Sequence, residues 1–335
     1  MTTISRNLGN GLLPKRKKLG FFQQLGKQWQ LVVMSVPMLL YVLFFNYYPL
    51  WGWINAFKDI SPSNPQKINT LIPYLRTGQA AFCGLDNFKL LFTDNNIPSF
   101  SQSIVNTLAM SLINLVFGTL AAILLAILLN EVRQKTFKRT VQTVTYLPHF
   151  LSMIIVVGMA QILFLDSDNG TINQLLMSLG VIEKRVDWLG DRRYFWWLVG
   201  LINIWKEVGW GTIIYISAMT GIDPCLYEAA SIDGAGRMQR IIHVTLPGIR
   251  STFVILLIMN IGHILDTGFE IQYLLQTPGT MEVASTVDLY VMQHGTQNQD
   301  LGLATAAGIF KSVIAIFLLT GANFISKRLG EDSLM

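Results

Sequence analysis

The sequence predicts an all-α, polytopic membrane protein with six transmembrane helices and with both termini on the cytoplasmic side. Hydrophobic residues make up 51% of its 335 residues and charged residues only 13%, whereas an average soluble domain is about a quarter charged. Several runs carry almost no charge over the ~20 residues that cross the hydrocarbon core of a bilayer. Because backbone groups in lipid must be satisfied within the segment, we expect these runs to be helices.

The N-terminal part of the chain predicts a basic segment followed by a retained transmembrane helix. Residues 1–28 contain six Lys and Arg and no acidic residue. No short apolar core with a small-residue cleavage site follows them, so they do not read as a removable signal peptide. Residues 31–53 carry no charge, and aromatic residues crowd their far end, as is typical of a membrane interface.

The remainder of the chain divides into a long polar loop, five further spans and a short tail. Residues 55–103 are too polar to cross a bilayer. The five further predicted spans are residues 104–129, 141–165, 196–220, 251–271 and 304–325. We therefore expect a basic N-terminal segment (1–28), a first helix with its outer loop (29–103), a five-helix core (104–325) and a cytoplasmic tail (326–335).

The distribution of basic residues predicts the orientation of these spans. The side that holds residues 1–28, 130–140, 221–250 and 326–335 carries 15 Lys and Arg against 6 Asp and Glu, whereas the other side carries 8 against 11. Because cytoplasmic segments are enriched in Lys and Arg, both termini are predicted to be inside. No basic patch interleaved with aromatic residues accompanies this charge, so nucleic acid is not an expected partner. Cys83 and Cys225 fall on opposite sides and cannot pair.

The most informative segment is the polar stretch 223–248, which separates the fourth and fifth spans. Asp223 can cap a helix with its side chain. Pro224 suits the first helical position, where the backbone N–H that proline lacks has no partner within the helix. Together they predict a helix start. Gly234 predicts a bend with positive φ. A second helix is predicted from Arg237 to Val244, ending before Pro247 because proline disfavours helix in the residue ahead of it. The predicted shape is helix, sharp bend, helix, suited to docking in a socket of another protein.

This stretch carries a motif with a specific resemblance. Glu228-Ala229-Ala230, then Asp233-Gly234-Ala235, then Leu246-Pro247 resembles the EAA loop of the membrane permeases of bacterial ABC importers. This chain has Ile241 where the family usually carries an aromatic residue, and Val244 where isoleucine is usual. The resemblance implies the type I importer permease fold and docking of the loop on a cytoplasmic ATPase. The residues implied to couple the two proteins are Tyr227, Glu228, Ala229, Ala230, Asp233, Gly234, Ala235, Leu246 and Pro247.

Weaker resemblances elsewhere point to the substrate. The segments 37–59 and 84–88, Asn106-Thr107, and the region 301–307 are similar to the corresponding parts of permeases for oligosaccharides and polysaccharide fragments. They imply a carbohydrate substrate and a subunit of the bacterial plasma membrane, in contact with lipid. The implied protein partners are a second, homologous permease, a cytoplasmic ABC ATPase dimer that binds ATP and Mg²⁺, and an extracytoplasmic solute-binding protein. No cofactor is expected in this chain itself.

Polar residues inside the spans are candidates for the substrate pathway, because ionisable groups are costly in a bilayer. In the fourth span the polar residues and one Trp share a helical face by their spacing. In the fifth span Asn260, His263 and Thr267 share a face with Asp266 at its rim, and the sixth span carries Lys311. The candidate pathway residues are Asn203, Lys206, Glu207, Trp210, Asn260, His263, Asp266 and Lys311. An alternative is that Lys206 or Lys311 only neutralises Glu207 or Asp266 between packed helices.

The sequence also limits the other classes of function. It contains no phosphate-binding loop of the G-x-x-x-x-G-K-[ST] type, no H-E-x-x-H and no cysteine pair with metal-ligand spacing. We therefore expect no enzymatic activity in this chain. Three alternatives remain: a permease for a solute other than sugar, a membrane-embedded enzyme that acts on lipid-linked sugar through Glu207 or Asp266, and a structural membrane scaffold.

Overall fold

A computed structural model describes residues 28–60, 82–93, 98–167, 170–328 and 330. Within them the chain is helical, with one isolated antiparallel bridge between Lys58 and Phe82. Residues 1–27 of the predicted basic segment, about half of the outer loop and the end of the tail lie outside the described residues. The α-helices are α1 Trp29–Val42, α2 Asp86–Thr93, α3 Phe100–Ile113, α4 Thr119–Glu131, α5 Lys135–Tyr146, α6 Met153–Leu163, α7 Thr171–Ser178, α8 Arg192–Thr220, α9 Pro224–Ile232, α10 Arg237–Arg240, α11 Leu246–Gly248, α12 Arg250–Gly262, α13 Glu270–Leu275, α14 Met281–Ala284, α15 Val287–Met292 and α16 Leu301–Arg328.

Some of these helices are joined end to end by short segments of different pitch. Four of the segments are π-helical and two are 3₁₀-helical. The π segments are Leu43–Tyr47, Asn114–Gly118, Ile241–Thr245 and Gln293–Gln297, and the 3₁₀ segments are Tyr48–Phe57 and Leu147–Phe150. The chain divides into two compact units, Met1–Gly52 and Trp53–Met335. Among its described residues, the first unit contributes α1 and the π segment that follows it.

Three helices among the described residues are long and apolar enough to cross a membrane. They are Trp29–Phe57, Phe100–Glu131 and Leu301–Arg328, and they contain the first, second and sixth predicted spans. The number rises to five if two bent helix pairs are each counted as one span. α8, which contains the fourth predicted span, has 29 residues but is not in this group.

The prediction of one continuous helix over the third span is wrong. Lys135–Phe150 and Met153–Leu163 are bent by 104° with respect to each other. Leu151 and Ser152 between them are extended, with ψ of 141° and 149°. The break follows Pro148, whose ring has no N–H to donate and disrupts regular helical hydrogen bonding.

The fifth predicted span also differs from the structure. α12 ends at Gly262, and the next helix begins only at Glu270. A local turn in which the Asp266 N–H donates to the His263 carbonyl oxygen (2.8 Å) replaces the helical pattern. Gly268 then turns the chain with φ +70°. His263, Asp266 and Thr267 therefore lie on a connecting segment, not on a helical face.

The stretch 223–248 has the predicted helix–bend–helix shape. The Asp223 carboxylate accepts a hydrogen bond from Cys225 N (2.9 Å), and Pro224 occupies the first turn of α9. Gly234 adopts φ +78°. The predicted stop before Pro247 is wrong, because a helical run extends over Arg237–Gly248. Pro247 has no N–H to donate, and the π segment ahead of it has a wider turn than an α-helix. The chain bends by 56° only after Gly248.

Two of the buried clusters in the second unit include residues of α8. One buried cluster contains Phe195, Val199 and Ile202, and another contains Tyr215 and Met219. The broken third span approaches α8 at Gly209: a Cβ atom there would lie only 2.0 Å from the Thr145 carbonyl oxygen. Small residues allow this kind of close backbone approach between membrane helices. The contact places the residues of the break, 147–150, beside the middle of α8.

Asp300, just before α16, leads to a prediction about stability. Its carboxylate accepts a hydrogen bond from Leu303 N (3.0 Å). Burial raises the pKa of Asp300, and the nearby charge of Asp59 raises it further. His294 and two backbone N–H groups lower the pKa, but burial outweighs them. A raised folded-state pKa makes the ionised form unfavourable to folding at neutral pH, and this cost disappears as the pH falls below the unfolded-state pKa. Asp300→Asn keeps a good cap, so its melting temperature should exceed that of the wild type at pH 7, with the difference shrinking towards pH 4.

Asp191 provides a control of opposite sign. It precedes α8 and accepts hydrogen bonds from the Arg193 side chain and backbone N–H, which lower the pKa of Asp191. A lowered folded-state pKa stabilises the fold above the unfolded-state pKa and is lost as the pH falls through the folded-state value. Asp191→Asn should therefore lower the melting temperature at pH 7. A lower melting temperature at pH 7 for Asp300→Asn would contradict the assignment of burial as the dominant effect there.

Candidate functional site

A cavity of about 560 Å³ lies among α3, α4, α8, α12 and the segment that follows α12. Its polar lining combines side-chain amides, hydroxyls and carboxylates with the large aromatic surface of Trp210. The amide groups come from three different predicted spans, at Asn114, Asn203 and Asn260. Trp210 is 48% exposed and lines the same cavity. Such a surface can stack on a flat apolar face and donate and accept hydrogen bonds around it.

Six of the eight candidate pathway residues line this cavity. They are Asn203, Glu207, Trp210, Asn260, His263 and Asp266. Three of them, Asn203, Glu207 and Trp210, lie on α8 at positions that helical spacing predicts to share a face. The three on and after α12 meet at the cavity although the helix on which they were predicted to share a face ends at Gly262. Lys206 and Lys311 are not among the lining residues.

Lys206 does not line the cavity and is 8% exposed. Its Nζ donates to the carbonyl oxygen of His149 (2.8 Å) and to Glu207 Oε1 (3.2 Å). The other oxygen of Glu207 lies 2.7 Å from His149 Nδ1. The geometry therefore favours the alternative in which Lys206 neutralises a neighbouring carboxylate between helices.

Lys311 forms a similar internal network on α16. Its Nζ pairs with Asp266 Oδ1 at 2.6 Å and also with Asp288. His263 Nδ1 lies 2.8 Å from the second oxygen of Asp266, and the second oxygen of Asp288 accepts a hydrogen bond from Gly268 N at 2.9 Å. These contacts attach the segment after α12 to α15 and α16. Only Asp266 and His263 of this network face the cavity.

Sequence reasoning missed several residues of this site. His149 lies in the break of the third span, and its ring stacks on Trp210 with centroids 4.7 Å apart and planes 7° apart. Ser111 and Asn114 face the cavity from the second span, and their spacing of three residues in an apolar helix is a usable signal. Asn114 begins a π segment, a feature often found at functional sites. Asp288 was not recognisable as a site residue from the sequence, because it lies in a segment that was predicted to be a loop between the fifth and sixth spans.

The second candidate site is the bend between α9 and α10. Gly234 N donates to the Ser231 carbonyl oxygen (3.2 Å) and Ala235 N to the Ala230 carbonyl oxygen (2.9 Å). This pair of bonds is the Schellman motif, which requires a residue in the left-handed conformation at the position of Gly234. Small side chains at 230 and 235 allow the chain to close on itself there. The bend therefore follows from local sequence alone.

The surface of this bend is open and partly apolar. Ile232 is 87% and Met238 66% exposed. Ala230, Asp233, Gly234 and Ala235 line a small pocket of about 280 Å³. Of the other predicted coupling residues, Glu228, Ala229, Leu246 and Pro247 are exposed and Tyr227 is half-buried. The Tyr227 hydroxyl lies 3.0 Å from Thr245 Oγ1, which ties α9 to the following π segment.

Comparison with known proteins gives a consistent result. Residues 115–331 match the family model described as "Binding-protein-dependent transport system inner membrane component". The chain is 39% identical over 334 residues to protein LplB of Bacillus subtilis, covering all of both chains. It is also 39% identical over 323 residues to the polygalacturonan/rhamnogalacturonan transport system permease protein YteP of the same organism, covering 96% of this chain and 95% of that protein.

The fold agrees with a solved transporter. One chain of a bacterial alginate ABC transporter, crystallised with an alginate-pentasaccharide-bound periplasmic protein, is similar with a TM-score of 0.81 and 36% identity. The match covers 94% of this chain and 99% of that one. Together with the apolar helices, these matches identify a membrane protein. The chain belongs to the family of binding-protein-dependent transport system inner membrane components, the permease subunits of ABC importers that its Glu228 loop resembles.

Proposed function

We propose that this chain is one of two related permease subunits of an ATP-driven bacterial importer that carries a carbohydrate, specifically an oligosaccharide. The observation that carries the proposal is the cavity in which the Trp210 indole stands among three asparagine amides and two carboxylates. A flat apolar face with hydrogen-bonding groups around it suits a sugar ring. The names of relatives that carry polygalacturonan and rhamnogalacturonan, and of a transporter of alginate, support a glycan as the substrate.

We propose six membrane spans with both termini in the cytoplasm of a bacterial inner-membrane protein. The three continuous apolar helices, the bent pair Lys135–Phe150 with Met153–Leu163, and α12 of the second bent pair supply five of the spans, and α8 supplies the sixth. The other half of the second pair, Arg237–Gly248, stays in the cytoplasmic stretch. A polar helix that lines a cavity does not need the hydropathy of a lipid-facing one. The excess of Lys and Arg in residues 1–28, 130–140, 221–250 and 326–335 supports this orientation. It puts the bend at Gly234 in the cytoplasm.

The bend then serves as the docking element for a cytoplasmic ABC ATPase dimer. Its exposed apolar side chains, Ile232 and Met238, offer surface that docking would cover. Glu228 lies exposed on α9, where it can pair with a basic group of the ATPase. The proposed coupling residues are Tyr227, Glu228, Ala229, Ala230, Asp233, Gly234, Ala235, Leu246 and Pro247.

Energy for transport comes from the partners in this proposal. ATP and Mg²⁺ bind to the ATPase dimer, and this chain needs no cofactor of its own. An extracytoplasmic solute-binding protein delivers the sugar, and a second, homologous permease completes the pathway within the lipid. ATP binding closes the ATPase dimer and moves the docked bends, while sugar and ATP bias one two-state equilibrium of the cavity.

An enzymatic role for Glu207 or Asp266 is not favoured. Each carboxylate contacts both a lysine ammonium and a histidine ring nitrogen. Both oxygens of each carboxylate are occupied by these partners, so a substrate would have to displace one partner before the carboxylate could exchange a proton with it. Pairing of this kind is suited to orienting a carboxylate as a hydrogen-bond acceptor for a sugar hydroxyl.

The proposal predicts that Trp210→Ala raises the half-saturating sugar concentration for uptake. We expect a rise of roughly tenfold, because an aromatic contact of about 1.5 kcal/mol corresponds to that factor. The measurement is ATP-dependent uptake of labelled oligosaccharides by proteoliposomes that contain the complete importer and its binding protein. Trp197→Ala is the matched control, since Trp197 also lies on α8 and is 57% exposed but does not line the cavity.

Two results would contradict the proposal. One is equal uptake kinetics in the Trp210→Ala and Trp197→Ala variants. The other is a complex that takes up amino acids or another solute class with ATP but takes up no oligosaccharide from a panel of neutral and acidic chains.

A further inference from the structure

Three side chains of α8 converge on one residue of another segment, His149. The Lys206 ammonium donates to its backbone carbonyl (2.8 Å), and Glu207 Oε2 contacts its ring nitrogen Nδ1 (2.7 Å). The Trp210 indole stacks on its ring with an interplanar angle of 7°. Positions 206, 207 and 210 lie within little more than one helical turn, so one residue is held from three directions.

The break in the third span explains why His149 can be held in this way. Its 3₁₀ segment, Leu147–Phe150, is followed by extended residues, so the His149 carbonyl is available to a partner outside the helix. The close approach at Gly209 brings this segment against α8. Buried Pro148 fixes the backbone on one side of His149. The backbone of His149 is therefore held beside α8, where its ring contacts Glu207 and Trp210.

His149 in turn fixes the two α8 groups that face the cavity. Its imidazole covers one face of the Trp210 indole, which leaves the opposite face for the cavity that Trp210 lines. Because a carboxylate only accepts hydrogen bonds, Nδ1 donates to Glu207. Glu207 thus has one oxygen on His149 and the other on Lys206, and its side chain remains 48% exposed. Both groups are held in one orientation before any ligand arrives.

We propose that His149 is a positioning residue for sugar recognition. It keeps the Trp210 indole as a flat stacking surface and holds the Glu207 carboxylate beside it, without itself lining the cavity. A sugar ring then meets an aromatic plane and a hydrogen-bond acceptor in a fixed relation, which reduces the ordering cost of binding. This inference rests on the proposed function, since it names the residue that organises the proposed sugar contact.

Two matched variants separate the ring from its hydrogen bond. His149→Phe keeps a ring that can stack on Trp210 but loses the bond to Glu207. His149→Asn keeps a donor near the position of Nδ1 but loses the ring. Both retain the backbone carbonyl that accepts from Lys206, so the break in the third span keeps its attachment to α8.

Uptake kinetics of the complete importer in proteoliposomes test the role. We expect His149→Asn to raise the half-saturating oligosaccharide concentration about fivefold at a nearly unchanged maximal rate, the order expected for loss of one aromatic pair. His149→Phe should stay within about threefold of the wild type. A half-saturating concentration in His149→Asn equal to that of the wild type, or equal impairment of uptake and melting temperature in both variants, would overturn the proposal.

A spectroscopic measurement keeps the inference testable apart from transport. The complex is labelled with 5-fluorotryptophan, and the Trp210 resonance is assigned by its loss in Trp210→Phe. Removal of the stacked ring in His149→Asn should shift this resonance, and His149→Phe should shift it less. If the Trp210 resonance in His149→Asn has the same position as in the wild type, the two rings do not stack and the inference is wrong. A moved resonance in an importer that takes up no sugar supports the contact and counts against the proposed function.

Discussion

Gly234→Val is expected to reduce sugar uptake and sugar-stimulated ATP hydrolysis at least about tenfold while the protein still folds and inserts. Gly234 has φ +78°, and the left-handed conformation costs a residue with a Cβ roughly 1–2 kcal/mol. Beyond the residue itself and its neighbours in the chain, no atom lies within 4 Å of the place where a Cβ would stand, so the cost is backbone strain and not a clash with packed atoms. The strain is relieved by opening the Schellman motif, which moves the exposed docking surface out of register with its partner.

The control for this prediction lies two residues away. Gly236 has φ −68° and ψ 173°, a conformation that valine adopts readily. Its nearest neighbour to an added Cβ is the Gln239 side chain at 3.7 Å. Gly236→Val should therefore couple ATP hydrolysis to uptake at close to the wild-type level. Both activities are measured on the purified complex in proteoliposomes, together with basal ATP hydrolysis of the ATPase subunits.

Normal uptake and normal stimulation in well-expressed Gly234→Val would remove the bend from the coupling mechanism. Equal losses in Gly234→Val and Gly236→Val would show that side-chain bulk, and not the left-handed backbone, is what the docking surface rejects. The proposed geometry predicts a clear difference between the two.

The bend and the long apolar helices were predictable because their determinants are local. Asp223 and Pro224 start α9, and Gly234 terminates it through hydrogen bonds that span at most five residues. The helices Phe100–Glu131 and Leu301–Arg328 follow from hydropathy over one continuous run. In each case the physical cause lies within the segment itself.

The break in the third span was not predictable in the same way. An apolar run has the same hydropathy whether the helix through it is continuous or bent by 104°. Pro148 is compatible with a kink, but it did not enter the prediction, and the bend is packed against Gly209, which lies 61 residues later. The contact between His149 and Trp210 exists only because of that packing.

The charged residues show a related limit. Helical spacing placed Lys206 with Glu207 and Trp210 on one face, yet the carbonyl that attracts Lys206 is freed by the break in another segment. Asp288 could not be recognised as a partner of Lys311, because nothing in the sequence brings α15 beside the middle of α16. On α8 periodicity grouped residues that line the cavity, but in the fifth span the predicted face extends beyond the end of α12, and periodicity did not identify the ionic partners.

Lys311→Met is expected to destabilise the folded importer strongly, and more than Asp191→Asn does. Lys311 is the only ammonium that the described residues place between the carboxylates of Asp266 and Asp288. Without it, two carboxylates face each other in a partly buried region. Removing one partner of a fully buried ion pair costs roughly 3–5 kcal/mol. The side chain of Asp266 is 48% exposed, so we expect a somewhat smaller loss at this network.

The double variant Lys311→Met with Asp288→Asn tests whether the effect is electrostatic. It restores one net negative charge to the network, as in the wild type, and an asparagine oxygen can still accept the hydrogen bond from Gly268 N. We therefore expect the double variant to recover melting temperature and yield relative to Lys311→Met alone. Lys311→Arg, which retains the charge, should lie closer to the wild type than Lys311→Met.

Loss of the Lys311 network should also impair sugar uptake. The network attaches the segment after α12, which carries Asp266 into the cavity, to α15 and α16. If the network only holds this segment, the double variant should recover uptake together with stability. If the double variant recovers stability but not uptake, the Lys311 ammonium acts on the sugar or on the movement of the cavity wall. The assignment of Lys311 as only an internal partner of Asp266 would then be wrong.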